Sequence, residues 1–363
     1  MAIKLKPIQD QVLFITGASS GIGLTTAREA AKKGAKIVLV ARSEEGLADA
    51  VNQIEASGGE AIYAVADVSK PEELRRAADA AVARFGRIDT WINNAGLGQF
   101  GRLTETNIDD DKRLFEINFW GVVNGSRLAV EYLANGGAII NIGSEVSQVP
   151  VPIQGMYSAS KHAVLGFTDA LRMELMDAGL PISVTLIKPA AINTHFPQHA
   201  ANRLPAGQSP MLPAPVYAPE LVSDQILYAA TTPVRDLFAG GGGWLMATMH
   251  KVIPGVMDFI TRKTMIDQQV TDKPLGPQRE GLYAPTGEGF GRGNVDRDRM
   301  IRTHSVYNAA SRHPYLAMAV AAAGVAAAAA AMGAFSLPEP TTTERARKYA
   351  NRAVRGARTY FKV

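Results

Sequence analysis

The sequence has no cysteine among its 363 residues. That absence excludes disulfide scaffolds, thiolate metal sites and cysteine nucleophiles. An excess of one charge is nearly missing too: 38 Lys and Arg face 34 Asp and Glu, a net of +4. Even this surplus is local. Residues 338–363 hold seven basic and two acidic side chains, which leaves 31 and 32 for the remainder. The bulk of the chain is electrically balanced, whereas a nucleic-acid enzyme would gather positive charge around its site. Met1–Gln11 contains no apolar core and no twin arginine. An unexported, cytoplasmic chain is therefore expected. Hydrophobic residues at 47% and charged residues at 20% exclude both a wholly disordered chain and a polytopic membrane protein.

What is present is an alternation. Short apolar runs at 12–16, 36–41, 61–66, 88–93, 138–143 and 182–188 read as buried strands. Helical patterns at 22–33, 44–57, 71–85, 108–134 and 157–178 lie between them. Strand–helix alternation predicts right-handed crossovers and a parallel sheet covered on both faces, an α/β fold. After Lys188 the rhythm breaks into a long proline-containing loop, 189–217, of the kind that forms lids and binding elements. Helix returns at 219–230, a last strand is expected at 236–239, and 244–267 reads as helix broken at Pro254-Gly255.

Three clusters carry chemistry. Thr16-Gly17-Ala18-Ser19-Ser20-Gly21-Ile22-Gly23 follows the first strand and opens the first helix. Glycines there permit a tight turn, and the free N–H groups of the helix terminus suit a pyrophosphate. At the end of the second strand, where an acid would hold the ribose hydroxyl of NAD, stands Ala41 followed by Arg42. The planar guanidinium suits a 2′-phosphate, so NADP(H) is expected over NAD(H). Ser43-Glu44-Glu45 reads as a helix cap with acids in the first turn.

Tyr157 and Lys161 are four apart at the start of a predicted helix and share a face. A neighbouring ammonium is expected to lower the phenol pKa and fit Tyr157 for proton exchange with a substrate oxygen. Ser144, just past the fifth strand, can bond the same oxygen. Asn118, mid-helix among apolar neighbours, needs a buried partner. Asn93-Asn94-Ala95-Gly96 closes the fourth strand at the edge where open α/β sheets bind ligands. Each of these has an ordinary structural explanation alone; together those explanations fail.

This set resembles the classical short-chain dehydrogenase/reductase family over roughly residues 8–243. The matching motifs are Thr16-Gly-x-x-x-Gly-x-Gly23, Asp67, Asn93-Asn-Ala-Gly96, Asn118, Ser144, Tyr157-x-x-x-Lys161 and Pro189-x-x-Ile192-x-Thr194. The resemblance implies a Rossmann-type, doubly wound seven-stranded parallel sheet and hydride exchange between NAD(P)H and a carbonyl or alcohol. It implies Tyr157 as acid/base, Ser144 as orienter, Lys161 on the nicotinamide ribose, and Asn118 holding a water behind Lys161. Gly17, Ser19, Ser20, Gly21, Ile22 and Gly23 would meet the pyrophosphate, Asp67 and Val68 the adenine. Asn94, Ala95 and Gly96 would line the cleft, and Pro189, Ile192 and Thr194 would flank the nicotinamide. It further implies a homodimer or homotetramer built on the two long helices. Two departures stand out: Ala190 where Pro-Gly is usual, and Ser20 where many NADP-preferring members carry a basic residue. A catalytically silent dinucleotide-binding scaffold is the alternative, opposed by four intact candidate residues. A nucleotide-sugar epimerase would carry a separate substrate domain.

Leu97, Phe100, Val146, Val149, Val151, Ile153, Phe196 and Tyr217 are expected to line a pocket for a lipophilic carbonyl or alcohol. His195 and His199 lack a carboxylate partner in sequence, so no metal site is expected. The organisation expected is a catalytic domain over 1–270, a flexible linker over 271–314, an Ala-rich apolar helix over 315–337 and a basic tail over 338–363. The uncharged stretch 316–335 holds twelve alanines in twenty residues and as a helix would be ~30 Å long. It could span a bilayer, lie against one or pack on another subunit. The basic tail beyond it opposes spanning under the positive-inside bias and favours surface contact with anionic lipid through 316–363.

Overall fold

Every residue of Val12–Thr16 (β1) is buried, the mark of a central strand covered on both faces. Its side chains alternate. Leu13 and Ile15 join a core layer with Leu24 and Ile226, while Val12 and Phe14 join the opposite layer with Leu74 and Leu128. Each such side chain contributes roughly 1.5–3 kcal/mol by leaving water.

In the computed structural model, which describes residues 3–273, 279–286, 289–293 and 300–313, the chain then winds in two directions from β1. Gly21–Lys32 (α1) leads to Lys36–Ala41 (β2), and Glu44–Ala56 (α2) to Glu60–Val65 (β3). Pro71–Phe85 (α3) crosses back to Thr90–Asn93 (β4). Beyond it come Gly137–Ile142 (β5), Gly155–Asp177 (α6 in the numbering below), Ile182–Pro189 (β6) and Asp236–Ala239 (β7). The strand order is β7-β6-β5-β4-β1-β2-β3, and every pairing is parallel. The seven-stranded doubly wound sheet implied by the resemblance is thus present. The order reverses at β1/β4, and the carboxyl edge at that switch point is where the fold leaves room for a ligand.

The helix expected over 108–134 is divided. Ile108–Phe115 (α4) and Gly121–Tyr132 (α5) flank a π turn, Glu116–Trp120. The wide turn coincides with the fully buried Asn118. Such single π turns favour functional sites. Behind the sheet, Glu220–Thr231 (α7) packs on α1, and Gly241–Val252 (α8) and Pro254–Gln269 (α9) follow β7.

Described parts of the stretch expected as a flexible linker are packed. Residues 1–312 form one unit. Leu282 is fully buried, and Val306–Arg312 (α10) packs on β7 and α7. The linker expectation came from Gly, Pro and Asp content, but this composition here serves tight packing. On Gly293 a Cβ would sit 2.3 Å from the Thr194 carbonyl oxygen. The apolar helix over 315–337 and the basic tail over 338–363 lie outside the described residues. Among the described residues no helix is long and apolar enough to cross a membrane.

Candidate active site

One cleft runs along the carboxyl edge of the sheet. At one end lies the turn after β1. Gly17 has φ +64°, and a Cβ on it would stand 2.7 Å from Ala95 Cα; a Cβ on Gly23 would stand 2.4 Å from the Gly17 carbonyl oxygen. Glycine is therefore required for the turn to press against the strand-four loop. Asn94 clamps the two together: its Nδ2 donates to the Thr16 and Gly17 carbonyls at 2.9 and 3.2 Å, and its backbone N–H donates to Thr16 Oγ1 at 3.0 Å. Asn93, one residue earlier, is structural. It bonds Ser126, Asn141 and Trp91 inside the sheet.

Gly17, Ser19, Ser20, Gly21 and Ile22 face the cleft, as do Asn94, Ala95 and Gly96. Gly23 lies behind the wall. Arg42, Asp67 and Val68 form the far end, and Pro189, Ile192 and Thr194 line the near end. Ala190, in place of the usual glycine, keeps its N–H on the Ala239 carbonyl at 3.0 Å.

Among the described residues the Arg42 guanidinium donates only to the backbone carbonyls of Gly281, Leu282 and Ala284. Burial lowers its pKa, and Asp67 opposes that effect. The Asp67 carboxylate is itself engaged, accepting from Ser69 N–H at 2.9 Å, Ser69 Oγ at 2.8 Å and the Arg113 guanidinium. Burial raises its pKa, but those bonds and Arg113 outweigh burial and leave it below the usual range. Arg113 pairs with both Asp67 and Glu116, whereas Arg42 forms no ion pair among the described residues. A glycine cradle at a helix terminus together with a guanidinium that has no carboxylate partner among the described residues is a donor set that fits a phosphorylated dinucleotide.

The other end holds the four candidate catalytic residues. Tyr157 and Lys161 sit in the first turns of α6 (Gly155–Asp177), both buried. Ser144 follows β5 in a capping box: its N–H donates to Ser147 Oγ at 3.1 Å, and Val146 N–H donates to its Oγ at 3.3 Å. Ser144 also stands near the Tyr157 hydroxyl and works to lower its pKa. Lys161 Nζ donates to the Ile142 carbonyl at 2.9 Å and lies 5.9 Å from the Tyr157 ring centre. Behind them, Asn118 accepts from Leu97 N–H at 2.8 Å and donates to the Leu97 carbonyl at 2.9 Å and Ser160 Oγ at 3.2 Å. A Cβ on Gly96 would stand 3.3 Å from Asn118 Oδ1 and 3.4 Å from Lys161 Nζ, so only a backbone separates the two.

The expectation that Lys161 lowers the Tyr157 pKa is not met in this geometry. Burial pushes the phenol up to about 12; Ser144 works the other way, and Glu145 adds to the rise. Lys161 is pushed down to about 8 by burial. Desolvation is the largest influence on the phenol, and Tyr157 stands protonated near neutrality, a proton donor.

Glu145 is the group that the sequence reading missed. It follows Ser144, lines the cleft and has no ion pair among the described residues. Burial raises its carboxyl to about 7. Its one sequence signal is a carboxylate next to the strand-end serine within an apolar run. Leu97, Val146, Val151 and Phe196 line the pocket as expected. Phe100, Val149, Ile153 and Tyr217 do not. Phe100 packs with Ile153, Val149 with Phe238, and Tyr217 sits in the main core. These side chains pack into the surrounding core layers instead. Leu212 and Met265 supply apolar wall in their place, and Gln154 and Gln269, bonded to each other, add a polar patch. Among the described residues no cluster could hold a metal ion.

Comparison with known proteins gives a consistent picture. The family model described as short chain dehydrogenase matches residues 11–204. The uncharacterized oxidoreductase YxnA of Bacillus subtilis is 41% identical over 326 residues, 88% of this chain and 90% of that one. The 11-beta-hydroxysteroid dehydrogenase A of Sesamum indicum is 40% identical over 194 residues, 53% of this chain and 55% of that one. Among solved structures, a Burkholderia phymatum short chain dehydrogenase/reductase in complex with NAD superposes with TM-score 0.58 and 27% identity, over 73% of this chain and 98% of its own. A Thermococcus sibiricus alcohol dehydrogenase complexed with 5-hydroxy-NADP gives TM-score 0.55 and 26% identity, over 63% and 95%.

Proposed function

The chain belongs to the short-chain dehydrogenase family, an oxidoreductase acting on alcohol or carbonyl groups, and from that premise we propose that it uses NADP(H) in preference to NAD(H) on a lipophilic substrate. When bound, the nicotinamide supplies or accepts hydride at the carbon bearing the substrate oxygen. The chain's own residues handle the proton. In reduction Tyr157 gives its hydroxyl proton to the substrate oxygen as hydride reaches the carbon, and in oxidation the flow reverses. Ser144, beside that hydroxyl, orients the oxygen. Lys161 holds the nicotinamide ribose and, with Asn118 behind Gly96, keeps a proton route to Tyr157. The single observation carrying this reading is one cleft with Ser144 and Tyr157 together at one end and the Arg42 guanidinium at the other. The apolar wall of Leu97, Val151, Phe196 and Met265 supports a lipophilic substrate. So does the hydroxysteroid dehydrogenase named among the relatives.

We also infer a homodimer or homotetramer. Trp120, Met173 and Met176 are exposed on the adjoining 116–132 and 155–177 helices. Light scattering that returned a monomer would refute this. The cofactor reading is tested by titrating NADPH and NADH into wild type and Arg42→Ala. Loss of a charge-assisted phosphate contact should weaken NADPH by about tenfold or more and leave NADH nearly unchanged. Equal loss for both would remove the phosphate role.

A further inference from the structure

The C-terminal segment outside the sheet does more than cover it. Residues 279–286 and 289–293 touch the cleft at each stage of their course. Gly281 N–H donates to the His199 carbonyl at 2.8 Å, beside the substrate end. The carbonyls of Gly281, Leu282 and Ala284 then surround the Arg42 guanidinium, and Pro285 and Thr286 form cleft wall next to Arg42 and Ser43. Further on, the Phe290 carbonyl accepts from Gly21 N–H at 3.0 Å, at the start of α1. Gly293 N–H donates to the Asn193 carbonyl at 3.2 Å, within the loop expected to flank the nicotinamide. The segment therefore follows the cleft between its two ends and meets the three elements that line it.

Its anchors lie off the cleft. Glu280 forms a two-pronged pair with Arg203, both bonds 2.9 Å, and Arg203 bonds Asp110 at 2.7 Å. The Tyr283 hydroxyl donates to the same Asp110 at 2.8 Å. Planar two-point pairing of this kind fixes orientation as well as energy. Between these anchors Leu282 is plugged into the core.

We propose that residues 279–286 and 289–293 act as a strap forming the outer wall of the dinucleotide site, whose 281–284 turn positions Arg42, so that the dinucleotide leaves only when the strap lifts. This rests on the dinucleotide reading above. The family-wide sheet supplies the floor of the site, and this chain's own extension supplies the cover. Glu280 and Tyr283 are positioning residues, acting through the turn on Arg42.

The test uses the full chain carrying Glu280→Gln with Tyr283→Phe, neither of which touches the reacting groups. The NADPH dissociation rate, read from nucleotide fluorescence in stopped flow, should rise about tenfold. The preference for NADPH over NADH should narrow, because Arg42 is no longer held. Hydride transfer from a preformed complex should keep its wild-type rate. A folded variant with an unchanged or slower dissociation rate overturns the proposal. Should the double variant fail to fold, hydrogen exchange on wild type decides. NADPH is expected to slow exchange at Gly281 and Gly293, and exchange there indifferent to NADPH overturns the strap. Absence of any dinucleotide binding by wild type would instead defeat the underlying cofactor reading.

Discussion

At the scale of single residues, the balance between burial and charge decides how the site works. Tyr157 stands up near 12 and Glu145 near 7, both mainly through burial, and the Glu145 charge helps to hold the phenol up. Glu145→Gln removes that charge and should lower the Tyr157 pKa. Alcohol oxidation, which needs the phenolate, should then begin at lower pH than in wild type; a profile that did not move would show the two groups to be uncoupled. The same substitution has a stability signature. The folded pKa of Glu145 is raised from 4.5 to about 7, so its contribution is fully present below pH 4.5 and is lost as pH rises through 7. Above that, the buried carboxylate costs on the order of 3 kcal/mol at most. Glu145→Gln should therefore melt higher than wild type at pH 8 and alike at pH 4.5. The sequence showed Tyr157, Lys161 and Ser144 because fixed spacing and strand position point to them. It hid Glu145, since whether a carboxylate next to Ser144 meets water or a cavity wall depends on distant residues such as Gly243, whose added Cβ would stand 2.6 Å from Glu145 Oε2.

At the scale of elements, strands were readable because both-face burial leaves continuous apolar runs such as Val12–Thr16. Helix ends were readable where a cap stood, as at Ser43, whose side chain accepts from Gly46 N–H. The π turn at Glu116–Trp120 was not, for an apolar helical pattern does not change when one turn widens. That turn has an energetic handle. Asn118→Ala would strand the Leu97 N–H and carbonyl, both now bonded to the amide. A loss of roughly 1–3 kcal/mol in denaturant unfolding is expected. Turnover should fall alongside it, as the Leu97 loop that lines the cleft loses its support. Unchanged unfolding would mean that the loop is held elsewhere.

At the scale of the molecule, the sheet brings together residues that the sequence keeps far apart. Arg42 ends β2, Ser144 follows β5, Tyr157 opens α6, and all meet one cleft. The glycine turn and the strand-four loop were legible as parts of it. The strap was not, because a Gly- and Pro-rich stretch reads alike whether it hangs free or packs against a wall, and only the partners of Arg42, Arg113 and Arg203 tell the two apart. What all these parts serve is proton exchange by one phenol. The most direct measurement is NADPH oxidation across a panel of lipophilic ketones and aldehydes by wild type and Tyr157→Phe, with NADPH affinity measured in both. The expected result is a fall of ~10³-fold in kcat/KM for Tyr157→Phe with NADPH affinity intact. Full activity without the Tyr157 hydroxyl would contradict it.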